Sequence, residues 1–362
     1  MDLKEQKILM FPRTMGLGGT EGVVLQLCRI LQPKVSKIVV CSSGGVHEAK
    51  LQEMGITHYT IPDIENKSPK TLLKVLTTVS RIIRKEKITV VHTHHRMAAL
   101  YARLLRFFHR ITAVNTSHNT FTDKRDLTRF ALSGSHLIAC GEMVKQNLTE
   151  AYGIPPERIT VIHNAVEPFS GQLQPDPDLS ALREAGYALV GNVGRLSEQK
   201  GMPYFLQSLP TVKAEYPKVK YVVVGDGEDR DQLEVLTDTL DIREDVLFLG
   251  YRSDIRNVMS QMDFLVLSSL WEGLPLTPIE AFSMGKTVVG TAVDGTTEVI
   301  AHEKNGLLIP PRDPAAIADG VLRLLSDLPL RKRMEQAALA TYSEEFSFDI
   351  YAQRVEVFYS KL

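Results

Sequence analysis

Trp271-Glu272-Gly273-Leu274-Pro275-Leu276-Thr277-Pro278-Ile279-Glu280-Ala281-Phe282 is the stretch around which the rest of the chain can be read. An apolar run, Phe264 to Leu267, feeds it through Ser268 and Ser269, and a helical pattern closed by Gly285 leaves it. The spacing predicts a strand, a turn and the N-terminus of a helix. The Gly-Leu-Pro turn leaves backbone N–H groups free at the positive end of that helix, where an anionic ligand group is held. Glu272 precedes the helix and Glu280 lies on it, so two carboxylates bracket the anion site. That pairing suits a ligand carrying both phosphate and hydroxyls. Taken alone, the stretch also fits an ordinary buried α/β unit with one glutamate at its cap.

Working outward, 362 residues are enough for two cores. The three cysteines, Cys28, Cys41 and Cys140, form no C-x-x-C pair, so neither a disulfide framework nor a cysteine zinc site is expected. A reducing cytosol is therefore the expected home, and the run Ile8 to Phe11 is too short for a signal or membrane segment. The net charge of -1 hides an asymmetry: residues 1 to 165 carry 23 Lys and Arg against 13 Asp and Glu, and the remainder carry 19 against 30. A basic half beside an acidic half suggests either two domains with different partners or two mutually attractive halves.

In chain order, Lys7 to Phe11 predicts a first strand, followed by a glycine loop through Gly16, Gly18 and Gly19 and a helix capped by Thr20. Strand, glycine loop and helix make a phosphate-loop geometry, but the spacing is not G-x-G-x-x-G, so a dinucleotide fingerprint fits poorly. Apolar runs then alternate with helical ones, which predicts a parallel α/β sheet. One run ends in His92-Thr93-His94-His95 and another in Thr116-Ser117-His118, both at the carboxyl edge where such sheets bind ligands. Zinc at His92 and His94 lacks a third ligand; hydrogen bonding to a ligand or to the protein is the alternative. Arg96 to Arg110 predicts one basic, aromatic helix, suited to an anionic membrane face or to a solvated surface. Pro168 to Pro177 is the expected interdomain linker, and the pattern restarts with Ala188 to Val193, Gly194-Arg195 and Lys200-Gly201. Arg195 offers a planar fork and Lys200 a point charge for phosphate. Strand ends at Gly225 and at Gly250-Tyr251-Arg252 follow, and the tail after Pro314 is expected to be helical throughout.

Gly18-Gly19-Thr20-Glu21, Gly194-Arg195-Leu196 with Lys200-Gly201, Val224-Gly225-Asp226-Gly227 and Glu272-x7-Glu280 together resemble the retaining glycosyltransferases of family 4, group 1, which have the GT-B fold. The resemblance implies two Rossmann-like parallel-sheet domains facing each other across a cleft. Residues 1–167 would form an acceptor-binding domain and 168–345 a nucleotide-sugar domain, with the helix at about 346–362 packing back on the first. Position by position, it implies that Arg195 and Lys200 bind the diphosphate, Glu280 the ribose, and Glu272 with the N–H groups of Gly273 and Leu274 the sugar. Gly18, Gly19 and Gly225 would approach the donor, Tyr251 and Arg252 would border the base, and His118 would support the reaction centre. His94, His95 and Arg96 are the expected acceptor contacts. Thr287 and Thr297 stand where the family often has proline, which concerns turn geometry around the donor sugar.

The expected activity is transfer of a hexosyl or N-acetylhexosaminyl group from a nucleotide sugar, UDP first, to a glycan or lipid-linked acceptor in surface polysaccharide or glycoconjugate synthesis. No metal or other cofactor and no nucleic acid is expected, and the oligomeric state is left open. A peripheral seat on the inner face of the cell membrane is a separate expectation. A nucleotide-sugar binder without transferase activity and a nucleotide-sugar epimerase are the alternatives. Glu280→Ala or Lys200→Ala is expected to remove transfer and leave the fold intact.

Overall fold

The computed structural model describes residues 2–169 and 171–362; Met1 and Ser170, the latter inside the expected linker, lie outside the described residues. The chain forms two compact units, Met1–Asn164 with Asp349–Leu362, and Ala165–Phe348. Each is built on one parallel sheet.

In the first unit, strands β1 (Lys7–Phe11), β2 (Lys37–Ser42), β3 (Thr57–Thr60), β4 (Val90–Thr93), β5 (Thr112–Ser117), β6 (His136–Ala139) and β7 (Ile159–Val161) lie in the order β3-β2-β1-β4-β5-β6-β7. The connecting helices are α1 (Gly19–Leu31), α2 (Glu48–Glu53), α3 (Pro69–Glu86), α4 (Arg96–Leu105), α5 (Arg125–Leu132) and α6 (Glu142–Glu150). Strand interiors such as Ile8-Leu9-Met10-Phe11 are buried on both faces, which is why they read as unbroken apolar runs rather than alternations. The order reverses between β1 and β4, where the register pairs Phe11 with Thr93. That is the switch point at whose carboxyl edge a crevice opens.

The second unit repeats the plan. Helix α7 (Pro177–Glu184) leads into β8 (Ala188–Val193), α8 (Met202–Glu215), β9 (Val219–Val224), α9 (Arg230–Thr239), β10 (Val246–Phe248) and α10 (Ile255–Gln261). Then follow β11 (Phe264–Leu267), α11 (Leu276–Ser283), β12 (Val288–Thr291), α12 (Thr296–Val299), β13 (Gly306–Ile309), α13 (Pro314–Ser326) and α14 (Leu328–Thr341). The sheet order is β10-β9-β8-β11-β12-β13, so the switch point lies between β8 and β11. Within this unit Val166 bridges Ser347, and the Tyr342 hydroxyl donates to the Val166 carbonyl at 2.9 Å.

The last helix, α15 (Phe348–Ser360), belongs almost wholly to the first unit, where Gln6 Nε2 donates to the Tyr359 carbonyl at 2.9 Å. The tail after Pro314 is helical as expected, in successive pieces: Asp327 caps α14 ahead of Pro329, and a π-helical turn at Tyr342–Phe346 precedes α15. One expectation needs correction. The basic helix ends at Leu105 rather than Arg110, because the Leu105 carbonyl accepts from both Phe108 and His109 and closes a turn. Ser80 then anchors the His109 ring at 2.7 Å.

Candidate functional site

The second unit gathers the charged residues. Strand β8 delivers the Gly194-Arg195 loop, and a short 3-10 turn, Glu198–Lys200, places Lys200 beside the end of β11. Gly201 makes this approach possible: its φ is 57°, and a side chain there would collide with the Ser268 carbonyl. Ser268 Oγ in turn donates to the Lys200 carbonyl at 2.8 Å and accepts from Asn192 at 3.0 Å. The Lys200 ammonium meets Glu272 Oε1 at 2.6 Å, and Ser269 Oγ donates to the same oxygen at 2.6 Å. The two charged side chains are 18% and 7% exposed, so this is a largely desolvated ion pair. Gln199 Nε2 donates to the Trp271 carbonyl at 3.0 Å and lies 3.5 Å from Glu272 Oε2, which clamps the two loops together.

Glu280 sits on α11, eight residues after Glu272. Burial pushes its carboxyl pKa up, and the positive charges of Arg256 and Lys200 oppose that shift. Gly273 and Leu274 are buried in the turn before α11, and a side chain at Gly295 would strike the Gly273 carbonyl, so the 294–297 loop packs directly on this turn. Thr297 stabilises its own turn by donating to the Asp294 carbonyl at 2.8 Å, whereas Thr287 ties the start of β12 to the Asn305 carbonyl ahead of β13 at 2.9 Å. Gly225, at φ 133°, packs its Cα against the Gly194 carbonyl and holds the β9 turn over the Arg195 loop. Arg195 itself is 72% exposed and pairs with Glu228 at 3.0 Å.

Arg252, expected to border the base, is ion-paired on two sides. Its guanidinium is bound to Asp254 at 2.7 Å and to Asp176 at 2.8 Å, a tie between the linker and α10. Tyr251 beside it is exposed.

The first unit gathers neutral, buried groups. At the β1/β4 switch point the His94 amide donates to the Phe11 carbonyl at 3.3 Å. His94 Nδ1 lies 3.2 Å from His118 Nε2, and the His94 ring stacks on His92 with centroids 4.3 Å apart. Both nitrogens of His92 are occupied, Nδ1 by the Tyr359 hydroxyl at 2.6 Å and Nε2 by Thr116 Oγ1 at 2.7 Å, so this ring has no lone pair left for a metal. Burial pushes the His118 pKa down to about 4 and that of His92 to about 3, and His94 falls well below its usual value. The cluster is therefore uncharged at neutral pH. His94 Nε2 is buried with no hydrogen-bond partner among the described residues.

Gly18 caps α1 in an extended conformation, and the Glu21 carboxylate lies against it, accepting from Thr14 Oγ1 at 2.5 Å. A carboxylate thus stands at the helix N-terminus beside Gly18 and Gly19, where the donor phosphate was expected. His95 Nδ1 accepts from the Met97 amide to cap α4, and its Nε2 lies 3.2 Å from Glu65. Arg96 pairs with Asp123 at 2.6 Å and stacks on Phe121. Both ring nitrogens of His95 are therefore engaged within the first unit and Arg96 is held through Nη1, whereas His94, the third expected acceptor contact, keeps Nε2 without a partner among the described residues. Sequence reasoning missed Ser269, Gln199, Arg256 and Tyr359; the serine pair ending an apolar strand was the one visible signal.

Two doubly wound parallel-sheet units, each with its polar residues at a switch point, define the GT-B class of two-domain transferases. Residues 17–168 match the family model for Glycosyltransferase Family 4, and residues 180–341 match that for Glycosyl transferases group 1. The chain belongs to this family. It is 28% identical to an uncharacterized glycosyltransferase of Methanocaldococcus jannaschii over 75% of each chain. It is 26% identical to the Escherichia coli UDP-Gal:alpha-D-GlcNAc-diphosphoundecaprenol alpha-1,3-galactosyltransferase over 86% of each. Among solved structures, Anabaena HepE in complex with UDP-glucose superimposes with a TM-score of 0.85 at 22% identity, covering 99% of this chain and 100% of that one.

Proposed function

We propose that this glycosyltransferase moves a hexosyl or N-acetylhexosaminyl group from a UDP-sugar to a glycan or lipid-linked acceptor, with retention of anomeric configuration. The observation that carries the reading is the Lys200–Glu272 pair at the β8/β11 switch point, with Glu280 on the helix that follows. Lys200 and Arg195 take the diphosphate, Glu280 the ribose hydroxyls, and Glu272 the sugar hydroxyls. The UDP-galactose donor named for the E. coli relative and the UDP-glucose held by HepE support a uridine donor.

When the bond from the anomeric carbon to the phosphate oxygen breaks, its electron pair moves to the diphosphate. Cationic groups and backbone N–H groups fixed around that oxygen lower the barrier most, because they need no reorganisation. The acceptor hydroxyl oxygen attacks from the same face and its proton passes to the donor phosphate, so no side-chain nucleophile and no metal is required. Each charge-assisted hydrogen bond from Arg195 or Lys200 is worth about 1.5–3 kcal/mol. Neutral His118 serves as a hydrogen-bonding partner for the sugar rather than as a cation.

The test is turnover of a panel of UDP-, GDP- and ADP-sugars in chelator, with undecaprenyl-diphosphate sugars and simple glycosides as acceptors. Transfer from one UDP-sugar, giving a product of unchanged anomeric configuration, is expected. Nucleotide binding without transfer to any acceptor would favour a binding protein, and conversion of the donor without acceptor would favour an epimerase.

A further inference from the structure

The histidine cluster of the first unit holds one group that the transfer chemistry leaves unused. His94 is 5% exposed, and its Nε2 is buried without a hydrogen-bond partner among the described residues. A buried nitrogen left unpaired costs the fold free energy, and an apolar side chain would fill the same space without that cost. Among the described residues the ring makes one polar contact, from Nδ1 to His118 Nε2 at 3.2 Å. The geometry of that contact is specific. The two ring centroids are 5.5 Å apart and the planes differ by 21°. That separation is as long as a nitrogen contact of 3.2 Å permits, so each nitrogen points straight at the other, along the direction of an N–H bond or a lone pair. His92 meets His94 differently, by stacking, with centroids 4.3 Å apart. The stack fixes the plane of His94, because His92 is itself pinned by Tyr359 at Nδ1 and by Thr116 at Nε2.

A head-on pair of imidazoles couples the two tautomers. Burial keeps both rings neutral, so each carries one proton, and a single proton occupies the line between them. If His118 donated it from Nε2, His94 would have to carry its own proton on the buried Nε2, an N–H with no acceptor. If His94 donates it from Nδ1, its Nε2 keeps only a lone pair. As with buried backbone groups, an orphaned acceptor is better tolerated than an orphaned N–H, so the second arrangement is favoured. His118, accepting at Nε2, then carries its proton on Nδ1. His118 is half-buried, and its Nδ1 makes no hydrogen bond among the described residues, which leaves that N–H for a ligand.

We propose that His94 is a positioning residue: it donates from Nδ1 to His118 Nε2 and so holds His118 in the tautomer that offers an Nδ1–H to a sugar hydroxyl. The expected contact of His94 with the acceptor is replaced by an indirect role, exerted through His118. Proton–nitrogen correlation spectra of the full chain with isotope-labelled histidine, at neutral pH and without ligand, read the tautomers directly. His94→Asn and His118→Asn, each deleting one ring's signals, assign the two rings among the ten histidines. A protonated Nδ1 and a bare Nε2 on both rings are expected; a proton on His118 Nε2 would overturn the proposal. In transfer assays His94→Leu is expected to lower kcat about tenfold at unchanged UDP affinity, the worth of one neutral hydrogen bond made in the transition state. His94→Asn keeps an N–H donor in the place of Nδ1 and is expected to recover most of that loss. Wild-type kcat in His94→Leu, or no recovery in His94→Asn at an equal melting temperature, would also overturn it. What His118 touches rests on the transfer reading, but the spectra need no turnover: a wild type that transfers nothing would overturn that reading, while the tautomers still decide the His94–His118 bond.

Discussion

The two switch points are built from opposite materials. At β8/β11 the second unit sets charge against charge: Lys200 on Glu272, Arg195 on Glu228, and Glu280 within the field of Arg256 and Lys200. At β1/β4 the first unit stacks neutral imidazoles and closes them with a tyrosine from the far end of the chain. A leaving diphosphate needs fixed charge, which the β8/β11 cluster offers and the histidine cluster does not, and the proposed donor assignment rests on that difference.

The largest effect expected from breaking the charged side is at Lys200. Removing the ammonium strands a buried carboxylate, which typically costs about 3–5 kcal/mol. Lys200→Ala therefore loses transfer and also lowers the melting temperature, contrary to the expectation that the fold is untouched. Lys200→Met combined with Glu272→Gln recovers stability without recovering transfer; if the double variant melts no higher than Lys200→Ala, the pair is not what holds these loops.

Acid attacks the neutral side next. The pKa values of His92 and His118 are depressed in the folded state, so between about pH 6.5 and 4 the unfolded chain binds more protons than the folded chain, and stability falls as pH falls through that window. Each depressed unit corresponds to about 1.4 kcal/mol, so a loss of roughly 3 kcal/mol for each of the two histidines is expected from pH 7 to pH 4. Urea melts of the wild type and of His118→Asn measure it; an identical slope with pH in both would remove His118 from the explanation. Tyr359→Phe deletes the hydroxyl bonded to His92 and is expected to cost about 1 kcal/mol by the same melts. The smallest effect is at Glu228, an exposed counter-ion. Glu228→Gln frees Arg195 and is expected to tighten UDP binding about two- to fivefold, read by calorimetry; weaker binding would make Glu228 a ligand contact instead.

The same contrast explains how much was legible in the sequence. The charged site is carried by short contiguous motifs, so Arg195, Lys200, Glu272 and Glu280 could be singled out by spacing alone. Both parallel sheets were visible because buried strands are unbroken apolar runs. The histidine cluster could be seen only as strand ends, since His92 and Tyr359 meet across 267 residues and no local pattern encodes that contact. The tie of Arg252 to Asp176 was hidden for the same reason, since the two lie 76 residues apart. Gly201 was legible as part of a motif, but the collision with the Ser268 carbonyl that demands glycine belongs to packing.

Calorimetric titration of UDP into the full chain in chelator, beside the Glu280→Ala variant, tests the assignment of the donor site most directly. Saturable binding by the wild type, lost in the variant while its melting temperature is kept, is the predicted result. Equal UDP binding by both proteins, or heat from NAD and none from UDP, would contradict a nucleotide-sugar site at the β8/β11 switch point.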